Sequence, residues 1–146
     1  MMVIWRNLLV HPLNESFRNT FNLNDEQTDF AVKKYREYYR SIGINQNELY
    51  DGIKELIIDL KNNNKKVIVA TSKPTIFTEK ILETHEMKKY FNYISGATLD
   101  FARVKKADII SYAIEKNNLK NDECIMVGDR AEDIKGAKEN KVAPLI

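Results

Sequence analysis

The sequence predicts an α/β fold built on a parallel sheet, and three observations carry that reading. Short apolar runs recur at 67–71, 93–97 and 124–127. Amphipathic stretches of helical length alternate with them. The run Cys124-Ile-Met-Val127 stops abruptly at Gly128-Asp129, as a buried strand of a parallel sheet does when it turns into its crossover helix. Strands alternating with helices mean βαβ units.

The elements follow in order. Asn24 with Gln27 three residues later has the form of a capping box. After it Tyr35, Tyr38, Tyr39 and Ile42 recur at helical spacing, and Gly43 is expected to end that helix. Ile53, Leu56, Ile57 and Leu60 mark a second amphipathic helix. Val67 to Thr71 is β-branched and reads as a strand. Pro74 suits the first turn of the next helix, whose apolar face is Ile76, Phe77, Ile81 and Leu82. Tyr93 to Ala97 is a weaker strand, and Val104 to Lys116 a helix with Ala107, Ile110 and Ile114 turned inward. Glu132 to Glu139 is a short helix, and Val142 to Ile146 a last strand. A division near Tyr50-Asp51-Gly52 separates a helical part, 1–49, from an α/β part, 50–146.

Composition narrows the function classes. The 146 residues suffice for one domain with a real core. Hydrophobic content is 43% and charged content 30%, with a net charge of +2 and no basic stripe, which argues against a nucleic-acid partner. No apolar run approaches a membrane span, so no membrane partner is expected. Met1 to Val10 is apolar but carries Arg6 in its middle, unlike a signal peptide. One cysteine, Cys124, inside an apolar strand fits a reducing, cytoplasmic setting.

Three strand ends or helix starts carry groups suited to phosphate chemistry. The Thr71 hydroxyl can donate to a phosphate oxygen, and Ser72 is expected to offer a backbone N–H at the start of the following helix. Lys106 opens an amphipathic helix, where an ammonium can neutralise phosphate charge. Asp129 and Asp133, four residues apart across a strand-to-helix turn, can face one point above the sheet edge and suit a hard cation, Mg2+. Taken singly, each has a plainer reading: Asp129 a turn residue, Asp133 a favourable first-turn carboxylate, Lys106 a solvated lysine, Thr71 a strand-end cap. His11 and His85 lack partners at ligand spacing.

In order, Val67-Ile-Val-Ala-Thr71-Ser-Lys-Pro74, Arg103-Val-Lys-Lys106-Ala-Asp-Ile-Ile110 and Ile125-Met-Val-Gly-Asp129-Arg-Ala-Glu-Asp133-Ile-Lys-Gly-Ala137 resemble the second, third and fourth motifs of the haloacid dehalogenase superfamily. The variant is similar to its phosphoglycolate phosphatase-like branch. Pro12 to Phe17 and Tyr35 to Tyr39 resemble the helical cap of that branch, and Leu49 to Leu56 its return into the core. The resemblance implies a Rossmann-like core with a partial N-terminal cap over 1–49. It further implies Mg2+-dependent hydrolysis of a small phosphorylated metabolite, a phosphate monoester, through an aspartate that attacks the phosphoryl group. By motif position Thr71 would contact phosphate, Lys106 neutralise it, and Asp129 ligate the metal, with Asp133 a ligand or a carboxylate behind it.

The family's first motif, Asp-x-Asp-Gly-Thr, is not in these residues: no two aspartates are two apart. Met1 to Val10 reads instead as the inside of a cap helix leading to Pro12. The expectation is therefore a family member missing its nucleophile, its general acid/base and its central first strand, and so an impaired phosphatase. The alternatives are a non-catalytic remnant that binds Mg2+ and phosphate, or one half of a split protein. A missing central strand would expose apolar faces and unpaired edges, which predicts a marginal monomer inclined to self-association.

Overall fold

The computed structural model describes residues 13–145. The readings made on Met1 to Val10, and on Pro12 as the entry to the first helix, lie outside the described residues. The chain divides into two compact units, Met1–Asn47 and Glu48–Ile146.

In the first unit, α1 (Leu13–Phe21) is followed by α2 (Asp25–Ser41) and a 3-10 turn at Gly43–Asn45. The Asn24 carboxamide accepts from the Gln27 N–H at 2.9 Å, while the Gln27 side chain accepts from the Asn24 N–H at 3.1 Å. Both orphan donors are thereby satisfied, and the capping box forms as its spacing predicts. The apolar spacing becomes an aromatic ladder: Phe17 lies 6.0 Å from Tyr35, which stacks on Tyr39 at 5.9 Å. Burial pushes the Tyr35 hydroxyl above its ordinary pKa. Gly43 plays a different part from the one expected. Ser41 is the last helical residue and Ile42 the cap, and the left-handed region is not used at Gly43. A Cβ there would fall 2.9 Å from the Tyr39 ring, so glycine is required by aromatic packing.

The second unit alternates helix and strand: α3 (Ile53–Asn62), β1 (Ile68–Pro74), α4 (Thr75–Thr84), β2 (Tyr93–Ala97), α5 (Lys106–Lys116), β3 (Ile125–Val127), α6 (Ala131–Glu139) and β4 (Ala143–Leu145). The predicted α/β class with parallel strands is what forms. β1 pairs parallel with β2, from Ile68 opposite Tyr93 to Thr71 opposite Gly96, and β3 pairs parallel with β4, from Ile125 opposite Ala143 to Val127 opposite Leu145. Among the described residues these are two separate two-stranded sheets. α5 packs on β1 and β2, α6 on β3 and β4, and α5 against α6. The helices thus hold the two strand pairs in one unit. Ile110, Ala137 and Val142 form the buried centre, with Ala70, Ile114 and Met126 packed against it.

Several boundaries shift from the sequence reading, three of them by a structural cause. β1 runs on to Pro74, so α4 begins at Thr75 and Pro74 precedes the helix instead of sitting in its first turn. α5 starts at Lys106, because Lys105 keeps extended backbone (φ −70°, ψ 138°). β3 omits Cys124, which is the extended residue after a 3-10 turn.

Candidate active site

One lysine links β1 to the helix that follows β3. Lys106 is the first residue of α5, and its side chain is only 12% exposed. Its ammonium donates to the Ala70 carbonyl of β1 at 3.0 Å and lies 2.9 Å from Asp133 Oδ1. Asp133 is buried in the first turn of α6, where its other carboxylate oxygen accepts from the Arg130 N–H at 3.3 Å. The carboxylate also presses against Gly128, the residue after β3: a Cβ at Gly128 would meet Asp133 Cβ at 2.6 Å. Only glycine lets the strand end and the carboxylate approach so closely.

Two further residues, Gly136 and Asn140, complete this arrangement. Gly136 lets α6 approach α5, since a Cβ there would stand 2.9 Å from the Ala107 nitrogen and 3.0 Å from Lys106 Cγ. Asn140 then ties the two helices, its carboxamide donating to the Ala107 carbonyl at 2.9 Å. The small pair Gly136-Ala137 inside a helical stretch was the visible hint, because a glycine in a helix interior needs a packing reason.

Of the residues singled out in the sequence, Lys106 and Asp133 are in direct contact. Thr71 follows Ala70, the residue whose carbonyl Lys106 holds, and its hydroxyl oxygen accepts from the Lys73 N–H at 3.2 Å. Asp129 is exposed in the loop between β3 and α6, next to Gly128. Ser72 is placed otherwise than expected. It is an exposed residue of the irregularity in β1 between Thr71 and Pro74, three residues before α4, so its N–H is not at a helix start. The strand continues because Pro74 pairs with Ala97.

The donor chemistry fits a hard divalent ion. Asp133 Oδ1 is buried and, although close to the ammonium, has no aligned hydrogen bond. Asp129 offers an exposed carboxylate one turn away. Mg2+ is commonly held by one or two carboxylates plus water and substrate oxygens. Among the described residues no three His, Cys, Asp or Glu side chains cluster.

Known proteins resemble this chain in sequence and fold. The 5'-nucleotidase of Pseudomonas aeruginosa is 35% identical over 132 residues, covering 90% of this chain and 60% of that one. A phosphoglycolate phosphatase of Vibrio parahaemolyticus is 27% identical over 131 residues, covering 90% and 58%. The crystal structure of a predicted phosphatase from Clostridium acetobutylicum superposes with a TM-score of 0.88 at 40% identity, covering 96% of this chain and 65% of that one. The chain therefore spans less than two thirds of the length of these three relatives. The haloacid dehalogenase-like hydrolase pattern matches residues 5–145. This chain, with its Lys106–Asp133 ion pair between two helix starts, belongs to the haloacid dehalogenase-like hydrolase family.

Proposed function

We propose that the second unit supplies the Mg2+- and phosphate-binding rim of a phosphoglycolate phosphatase-like hydrolase acting on a small phosphate monoester. The observation that carries this is the Lys106 ammonium, held at 3.0 Å from a β1 carbonyl and 2.9 Å from Asp133. A largely buried ammonium held between β1 and the first turn of α6 is an anion-neutralising group already oriented before substrate arrives. Thr71 donates its hydroxyl proton to a phosphoryl oxygen and Lys106 offsets its charge. Asp129 and Asp133 hold Mg2+, which would withdraw charge from that oxygen when bound. Ser72 contributes through its side chain or through the backbone of the β1 irregularity, not through a helix terminus. The helical first unit acts as a partial cap. The relatives' names differ in substrate, so the substrate is taken only as far as a small phosphorylated metabolite.

A second reading has a specific observation behind it: the 146 residues contain no Asp-x-Asp pair. On that reading the same rim binds Mg2+ and phosphate without turnover. One pair of measurements separates the two. Isothermal titration with MgCl2 and with inorganic phosphate should show binding that Asp129→Asn weakens about tenfold or more for the metal. Hydrolysis of p-nitrophenyl phosphate by the same preparation should stay at background if the rim only binds, and rise with Mg2+ if it turns over. Silence in titration and assay alike, from folded protein, would remove both.

A further inference from the structure

The loop between β2 and α5, residues 98–105, ends on the lysine of the rim, so its shape decides where Lys106 starts. It is closed on itself. The Thr98 N–H donates to the Arg103 carbonyl at 3.0 Å, and the Arg103 N–H donates back to the Thr98 hydroxyl oxygen at 3.0 Å. Inside this ring the Ala102 N–H donates to the Asp100 carboxylate at 3.1 Å. Phe101 stands in the left-handed region, at φ 63°, which a bulky side chain rarely adopts. Such strain persists only where the surroundings over-determine the backbone, and it collects at functional segments.

The Arg103 side chain ties that loop to two other elements. Its Nε and Nη2 both donate to the Gly96 carbonyl of β2, at 3.4 and 3.3 Å. The guanidinium carbon lies 3.7 Å from the centre of the Tyr112 ring on α5, well inside cation–π range. A planar fork can bond one oxygen through two nitrogens while its face stacks on a ring, and an ammonium cannot.

Gly96 is where this clamp meets the other half of the rim. It pairs with Thr71 across the sheet. Its N–H donates to the Thr75 hydroxyl oxygen at 3.1 Å. A Cβ on it would fall 2.6 Å from the Lys73 carbonyl oxygen. The irregular part of β1 between Thr71 and Pro74 is thus moulded against Gly96. Arg103 grips, through its side chain, the residue that Thr71 lies beside. Its backbone leads within one turn of chain to Lys106.

We infer that Arg103 is a positioning residue for the phosphate rim. Clamped between the Gly96 carbonyl and the Tyr112 ring, it fixes Thr71 and Lys106 relative to each other without itself touching the ligand. The use of that placement rests on the phosphate-binding reading above; the placement itself is measured separately.

The test uses the 146-residue chain, with 15N-labelled amides and 13C,15N-labelled lysine, together with titration by inorganic phosphate. Arg103→Ala should displace the Lys106 Nζ signal and the amides of 71–73, and weaken phosphate binding about tenfold or more, as misplaced binding groups do. Arg103→Lys should behave like Arg103→Ala, because charge without the fork does not hold the clamp. Tyr112→Leu should weaken binding about threefold, and Tyr112→Phe, which keeps the ring, should match the wild type. Met87→Ala is the control: it removes a side chain 2% exposed ahead of β2, and should lower the melting temperature without moving the Lys106 signal. Should Arg103→Ala not fold, Arg103→Lys and the Tyr112 pair decide the matter. Three results would overturn the inference. The first is unmoved Lys106 and 71–73 signals in folded Arg103→Lys. The second is wild-type phosphate affinity in that variant. The third is an equal displacement in Met87→Ala. A wild-type chain that binds no phosphate, with its Lys106 signal displaced in the Arg103 variants, removes the phosphate-binding reading and leaves the placement by Arg103 standing.

Discussion

The β1–β2 pair and the β3–β4 pair share a connectivity and differ in nearly everything else. β1 and β2 meet over four consecutive residue pairs, Ile68–Tyr93 to Thr71–Gly96, and are contacted by α4 and α5. Ser95 and Ala97 of β2 are buried, and Ile109 of α5 beneath them is 0% exposed. β3 and β4 meet over three residue pairs and are contacted by α6. Ile125 and Val127 are each 68% exposed and Leu145 56%. Strand pairing alone therefore does not make a half-sheet robust. Two-stranded pairs are marginal, and the number of helices covering them decides how much apolar area leaves water. The second pair is held by specific contacts instead, centred on Asp133.

That difference can be broken at its strongest point first. Asp133→Ala removes the charge partner of a nearly buried lysine and the cap of α6 together. Loss of one member of a buried ion pair costs about 3–5 kcal/mol, so urea denaturation should show the β3–β4 half lost before the rest, or the whole unit unfolded. A loss below about 1 kcal/mol would mean that packing, not the ion pair, holds that half.

Ile109→Ala tests the other side. A fully buried isoleucine truncated to alanine costs about 2–5 kcal/mol, whereas Ile125→Ala at its exposed position should stay within about 0.5 kcal/mol. Equal losses in thermal melts would erase the contrast. Gly128→Ala is expected to cost about 1–3 kcal/mol, since the added Cβ collides with Asp133 and must move the carboxylate from Lys106. The same variant should weaken Mg2+ binding measured by titration, and unchanged binding would separate the two carboxylates' roles.

Native-state hydrogen exchange sharpens the contrast without mutation. Amides of 94–97 should exchange at least tenfold more slowly than those of 125–127 and 143–145, because local opening is cheapest where few apolar contacts form. The smallest effect is expected from Val127→Thr. It should leave stability within about 0.5 kcal/mol and reduce the self-association that an exposed apolar strand face promotes, read by sedimentation at rising concentration. Identical association in the variant would place the self-contact elsewhere.

Local signals were legible wherever the physics is local. The capping box at Asn24 and Gln27 needs only three residues and formed as read. The parallel strands came from apolar runs, but the run at 124–127, read as a buried strand, forms one whose Ile125 and Val127 are exposed. Ends set by longer-range pairing were not legible. β1 outran its β-branched stretch because Pro74 finds Ala97 across the sheet, and that moved Ser72 away from a helix start. Thr71, Lys106, Asp129 and Asp133 could be named from spacing, but their mutual contacts could not. The meeting of Lys106 with Asp133 depends on how closely two helices 27 residues apart in sequence approach, and Gly136 and Asn140 decide that.

The residues by themselves determined the class of fold, the alternation of elements and the identity of the charged groups at the strand ends, because periodicity and turn chemistry are written within a few positions of each other. Only the folded unit decided that an ammonium links β1 to α6, that Gly128 and Gly136 serve close approach, and that a groove stands open between β1 and β3. Those features depend on distances between segments far apart in the chain, and packing, not local propensity, sets such distances.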